Sequence, residues 1–336
     1  MAKKSFYSIT YSYKIAAALL LLAAMFAVAM VFGAADVTLK DLWLALTADS
    51  AEKEITVIRE IRLPREIGAA FVGAALAVSG GIMQGMTRNP LADPGLLGLS
   101  AGAYAALAVT LAFFKSANYF VTMAVCFIGA GIGALMVFGI SSMKRGGFSP
   151  LRIVLAGSAI SAFLYAIAEG VSLYFKVSKN VTMWTSGGLI GTNWTQLQII
   201  IPLISVGLLV SFLLSKQLTI LSLHEEISIG LGQKTKHIKA ILFAAVIILT
   251  GSSVALAGNL VFIGLMIPHI VRPLAGNDYR FILPLSAISG AAFMLFADTV
   301  GRTLHAPFET PVAAIIAMLG LPFFLLIVRK GGKAFR

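Results

Sequence analysis

Asp93, Glu169, His269, Asp298 and Glu309 are titratable side chains that stand within or beside the apolar runs of this 336-residue chain. A charge at mid-bilayer costs on the order of 3 kcal/mol, so such residues need partners or a purpose. Asp93 is placed to cap the turn that follows it, with Pro94 at the first position. Asp298 precedes Arg302 by four residues, close enough on a helix to orient it. Glu309 stands two residues before Pro311, where a carboxylate complements the dipole of the helix that follows. Glu169 alone lies deep in an apolar run, where it either faces a central pathway or snorkels outward. His269 has no second ligand beside it, which leaves it a structural or interface role. The single cysteine, Cys126, lies in an apolar stretch and reads as a buried, inert thiol. Neither a metal site, a catalytic set nor a cofactor is expected from these residues. Gly232-Gln233-Lys234-Thr235 resembles a phosphate loop, but the earlier glycine and the Gly-Lys-Ser/Thr order are missing. The chain is therefore not expected to hydrolyse ATP itself or to act as an enzyme.

These residues sit in a framework of apolar spans. Mean hydropathy is +0.93, and 59% of residues are hydrophobic against 12% charged. Soluble chains carry about 25% charged residues, so one polytopic membrane domain over residues 1–336 is expected. Ten spans can be drawn, near 15–35, 64–86, 94–114, 119–142, 152–174, 194–214, 238–257, 259–273, 281–301 and 308–328. The first follows Lys3, Lys4 and Lys14 and runs uncharged for twenty-one residues. That exceeds the apolar core of a cleaved leader, so an uncleaved first helix is expected. The eighth span is short and contains Pro268 and His269, and is expected to be partly enclosed by protein.

The net charge of +12 comes from basic residues scattered between the spans, not from a nucleic-acid-binding patch. With both termini in the cytoplasm, seventeen of the twenty-six basic residues fall inside and nine outside, which favours that orientation. Arg59, Arg62 and Arg65 cluster on the outer side against the rule. By residue type alone they anchor lipid phosphates or pair with Glu60 and Glu66; an arginine fork also grips a carboxylate bidentately. The second span (GAALAVSGGIMQG) and the seventh (TGSSVALAGN) each end in a break and lie five spans apart. Two copies so placed run in opposite directions, an inverted 5+5 repeat.

The longest inner polar segment runs through Leu221-Ser222-Leu223-His224-Glu225-Glu226-Ile227-Ser228-Ile229-Gly230-Leu231-Gly232. Leu223, Ile227 and Leu231 recur every four residues, giving a short helix an apolar face, and Gly230 and Gly232 permit sharp turns. By composition it is a solvated connector.

Five motifs in order change that reading: Arg62-Leu63-Pro64-Arg65, Asn89-Pro90-Leu91-Ala92-Asp93-Pro94-Gly95-Leu96-Leu97-Gly98-Leu99-Ser100-Ala101-Gly102, the segment above, Gly264-Leu265-Met266-Ile267-Pro268-His269-Ile270-Val271-Arg272, and Ala297-Asp298-Thr299-Val300-Gly301-Arg302. Together they resemble the FecCD family, the permease subunits of ATP-binding cassette (ABC) importers for iron–siderophores, haem and vitamin B12. The resemblance implies an all-α, type II importer permease of about ten transmembrane helices in the cell membrane, multi-pass, paired with itself or a paralogue. It further implies two cytoplasmic ATPase subunits and an external substrate-binding protein. Arg62, Arg65 and Arg302 would grip glutamates of that binding protein, near an outer docking segment at 59–66. Leu223, Glu225, Glu226, Ile227, Gly230, Leu231 and Gly232 would form the ATPase-coupling element within a loop near 216–237. Glu225-Glu226 replaces the family's Gly-Glu there, and Gly301 stands where Ala is common.

A wide pathway for a chelate is expected to be small and polar, with Ser79, Ser100, Ser158, Ser161, Glu169 and Thr182 as candidates. Iron would travel inside its chelator, so no protein ligands are expected. A ferric siderophore is the expected cargo, ahead of haem and cobalamin. An ion-coupled secondary transporter would need carboxylates at mid-membrane beyond Glu169, and a membrane enzyme would need clustered His, Asp or Glu.

Overall fold

The computed structural model describes residues 2–33, 39–47, 53–114, 118–142, 150–186, 188–223, 225–306 and 308–330. Lys115, Lys144, Arg145, Lys333 and Arg336 of the charge tally, and His224 of the inner segment, lie outside them.

The named elements are all helical. They are α1 (Ala2–Val31), α2 (Leu39–Thr47), α3 (Lys53–Val57), a π turn (Ile58–Arg62), α4 (Leu63–Thr87), a 3-10 turn (Pro94–Leu97), α5 (Leu99–Phe113), α6 (Tyr119–Ser142), α7 (Pro150–Tyr174), α8 (Ser178–Thr185), α9 (Trp194–Leu213), α10 (Ser215–Leu223), α11 (Glu225–Gly230), α12 (Thr235–Ala257), α13 (Ile263–Ala275), α14 (Tyr279–Thr303) and α15 (Val312–Lys330). Among the described residues seven helices are long and apolar enough to cross a membrane, and three shorter apolar helices accompany them. The shorter ones are the third, eighth and tenth of the drawn spans. The third is short because Asp93 caps a 3-10 turn first, through Gly95 N–H at 2.7 Å. Gly98 then takes a left-handed conformation (φ +73°) before α5 begins, and α5 rises only about 22 Å.

Pro64 stands in the first turn of α4, but that turn continues an existing helical run. The chain is helical from Lys53 onward, and Pro64 has no N–H to give to the ladder. The π turn just before it absorbs the fault, with Leu63 N–H reaching back five residues to Ile58 O. The outer segment thereby becomes two short helices over a small core of Met30, Ala45, Ile55 and Ile58.

α4 is the hub. It packs on α14, α12, α13 and α9, and nearly all of it is enclosed, whereas α1 and α7 expose most of their length. Glycine allows this proximity. At Gly80 an added Cβ would enter the backbone of Gly264 on α13, and at Gly73 the backbone of Gly290 on α14. α5 and α6 meet in the same way through Gly102, Gly129 and Gly133. The break after α12 begins with Gly258 (φ +74°) and ends at Phe262 (φ +72°), and the start of α13 is buried.

The connections sort into two ends. At one, Tyr11 OH donates to Phe281 O (3.0 Å), Lys14 Nζ to Leu274 O (2.7 Å), and Thr219 Oγ1 to Asp278 (3.0 Å). At the other, Trp194 Nε1 donates to Arg59 O (3.1 Å), and Arg62 donates to the carbonyls of Met30 and Val31. These are the two groups of segments that the charge tally separates.

Candidate functional site

Arg62, Arg65 and Arg302 come together at the second end, but inside the protein, with 4%, 7% and 5% of their surface exposed. Arg65 binds Asp298 through Nε and Nη2 at 2.9–3.2 Å and Glu309 through Nη1 and Nη2 at 2.9 Å. Arg302 donates to the buried carboxylate of Glu66 and to Ala29 O, and its Nε lies 3.0 Å from Asp298. The pairing of Asp298 with Arg302 is the one its i,i+4 spacing suggests. Glu309, just before α15, pairs with Arg65. This cluster ties the end of α1 to α4, α14 and the segment before α15. In this arrangement the three guanidinium groups are enclosed and held by carboxylates and carbonyls of the same chain.

The inner segment is helical, but not as one helix. Leu223 ends α10, Ile227 lies in α11, and Leu231 follows in a turn closed by Gly232 (φ +78°). Gly230 stays helical. The apolar side chains are nonetheless exposed, Leu223 56%, Ile227 46%, Ile229 59% and Leu231 64%. Glu226 is exposed beside them, and Glu225 opens α11. Ser228 is buried and bonds Ile220 O (3.1 Å), which holds α11 against α10.

Two half-open cavities lie along α5 and α7. One, of about 250 Å³, is lined by Ser100, Tyr104, Tyr165, Glu169, Trp184, Thr185, Ser186, Val254 and Asn259. The other, of about 560 Å³, shares Ser100, Tyr165 and Asn259 and extends past Ser158, Ser161, Asp93 and Asn89 to Phe262 and Phe324. Four of the six pathway candidates, Ser100, Ser158, Ser161 and Glu169, therefore line one continuous face. Two do not. Ser79 is fully buried in α4 and bonds its own helix at Leu76 O (2.9 Å); it is packing. Thr182 is exposed on α8, but Thr185 and Ser186, one turn on, are the α8-end residues that reach the cavity.

Glu169 faces this space and accepts a 2.6 Å hydrogen bond from Tyr104 OH. Burial pushes the carboxyl of Asp93, between spans, up to about 6 against the pull of Gly95 N–H. Tyr104, Tyr165, Trp184 and Asn259 were not marked by spacing. Tyrosine or tryptophan in an apolar run reads as packing, and Asn259 reads as part of a break. His269 stacks edge-on against Phe323 at 5.8 Å, in keeping with a structural place. Cys126 is buried and free. Among the described residues no group of three or more His, Cys, Asp or Glu is placed to hold a metal ion.

With this geometry in view, the chain can be set beside known proteins. It is 42% identical over 299 residues to the iron(3+)-hydroxamate import system permease protein of Bacillus subtilis (strain 168), which covers 89% of this chain and 78% of that protein. It is 40% identical over 286 residues to an iron-uptake system permease protein of the same organism, covering 85% and 86%. A solved structure described as an inward-facing metal-chelate type ABC transporter superposes with a TM-score of 0.82 at 25% identity, over 95% of this chain and 99% of that one. The model of the FecCD transport family matches residues 20–330, and the chain is a multi-pass membrane protein belonging to that family.

Proposed function

We propose that this chain is the permease subunit of an ABC importer that carries a ferric chelate delivered by an external binding protein. Family membership supports this reading, and the continuous cavity face along α5 and α7 is the observation that carries it. In this reading the chain crosses the membrane ten times, both termini are cytoplasmic, and its halves form an inverted repeat. A second permease, identical or paralogous, covers the apolar side chains exposed on α7 and α15, among them Leu155, Phe163, Met318 and Leu325. ATP is hydrolysed by separate ATPase subunits that seat Leu223, Ile227 and Leu231 in a groove, a helix-in-groove contact suited to passing rigid-body motion. That motion alternates the pathway between its two openings.

The binding protein docks at the other end, on the exposed Trp43 and Glu60. Arg62, Arg65 and Arg302 hold that platform from beneath. The similarity to a hydroxamate permease supports a siderophore over haem or cobalamin.

The test replaces Leu223, Ile227 and Leu231 together by serine. The ATPase subunit should no longer co-purify, and ATP-driven chelate uptake into vesicles should be lost, with the thermal midpoint unchanged. Uptake that persists without ATP and follows a proton gradient would sink the reading and favour a secondary transporter.

A further inference from the structure

The chain has 26 lysines and arginines against 14 aspartates and glutamates, so polar linings drawn at random from it would be cationic. The described residues lining the two cavities depart from this: they include Asp93 and Glu169 and no lysine, arginine or histidine. Low-dielectric walls focus the field of such fixed charges into the space between them. The aromatic rings point the same way, because their faces attract cations. Tyr104 and Tyr165 lie 5.4 Å apart, centroid to centroid, and Trp184 lines the same cavity as Glu169. Tyr104 OH holds that carboxylate in place without neutralising it, since a hydroxyl donor carries no charge.

Resting on the importer reading above, we propose that this pathway selects its cargo by charge. It passes uncharged and cationic ferric chelates, of the trihydroxamate class, and disfavours polyanionic ones such as tris-catecholates. Glu169, in the cavity that Tyr104, Tyr165 and Trp184 also line, is the station that receives a pendant ammonium group. Asp93 extends the same sign of potential along the larger cavity. A trianionic chelate meets like charge at both positions, whereas an uncharged one meets none, and a chelate with an ammonium gains a contact at Glu169.

The experiment uses the assembled importer in vesicles, driven by ATP. Its probes are three radio-iron chelates: a neutral trihydroxamate, the same scaffold with a pendant ammonium, and a tris-catecholate. Capture of each by the binding protein is measured separately, and uptake is expressed per captured chelate, which removes that protein's own selectivity. The wild type should carry the first two and exclude the third. Glu169→Gln should lower the cationic-to-neutral uptake ratio about two- to fivefold, the size of one solvent-accessible charge contact. Glu169→Lys should lower it further. Tyr104→Phe, which keeps the ring and removes the donor, should move the ratio the same way by less. A ratio unchanged in both Glu169 variants overturns the proposal, as does wild-type uptake of the tris-catecholate at the neutral rate. Absence of ATP-driven uptake for every chelate is a different outcome, and overturns the importer reading on which this one rests.

Discussion

Asp298 serves two arginines at once. It is fully buried, accepts from Arg65 and lies within ion-pair distance of Arg302. Taking charges out of water is costly, and the cluster compensates by giving Arg65 a second carboxylate in Glu309 and Arg302 a second in Glu66. Asp298→Asn keeps the shape but leaves two buried cations short of charge. It should lower stability by about 3–5 kcal/mol, read as a fall in the thermal midpoint in detergent. Arg280→Ala is the contrast, because the Arg280–Asp278 pair is exposed on its arginine side. That change should cost under about 1 kcal/mol. Equal losses in the two variants would remove the distinction drawn between buried and exposed pairs. Little of this pairing is legible in sequence. The Asp298–Arg302 spacing shows it in part, but Arg65 and Asp298 are 233 residues apart.

At the scale of elements, the glycine-rich character of α4 is local information, and its consequence is not. Gly80 and Gly73 are contact points where the backbones of α13 and α14 occupy the place of a side chain, yet Gly139 on α6 has nothing within 4 Å of an added Cβ. Composition treats these glycines alike. Gly80→Ala must push α13 away from α4, against the grip of Gln84, whose Nε2 bonds Gly264 O (3.2 Å) and whose Oε1 accepts from Arg272 (3.1 Å). Overpacking of this kind costs about 1–3 kcal/mol. Gly139→Ala should be neutral or slightly stabilising, since alanine is the better helix former. Folded yield and thermal midpoint of the two variants, prepared side by side, decide the point. Pro64 teaches the same lesson. It does sit in the first turn of α4, but the helix already present before it requires a π turn at the join.

At the scale of the molecule, the sorting of loops to two ends makes a topological prediction. Lys179 on α8 and Lys234 before α12 are both exposed, and the native Cys126 is buried, so single cysteines can be introduced against a silent background. Lys179→Cys should react with a membrane-impermeant maleimide in intact cells. Lys234→Cys should react only after permeabilisation. The reverse pattern would invert the sidedness on which the docking and coupling assignments depend.

Hydropathy, charge and motif order by themselves determined that this is a polytopic membrane permease of one family, where its apolar runs lie, and which loops share an end. These are properties of single segments, since bilayer thickness and charge bias act on each span separately. Tertiary structure alone decided that Arg62, Arg65 and Arg302 are enclosed and paired within the chain, that Ser79 is packing while Ser100 and Glu169 line a cavity, and that α8 and the break after α12 complete its wall. Burial and pairing are set by what arrives from elsewhere in the chain, and no local period records it.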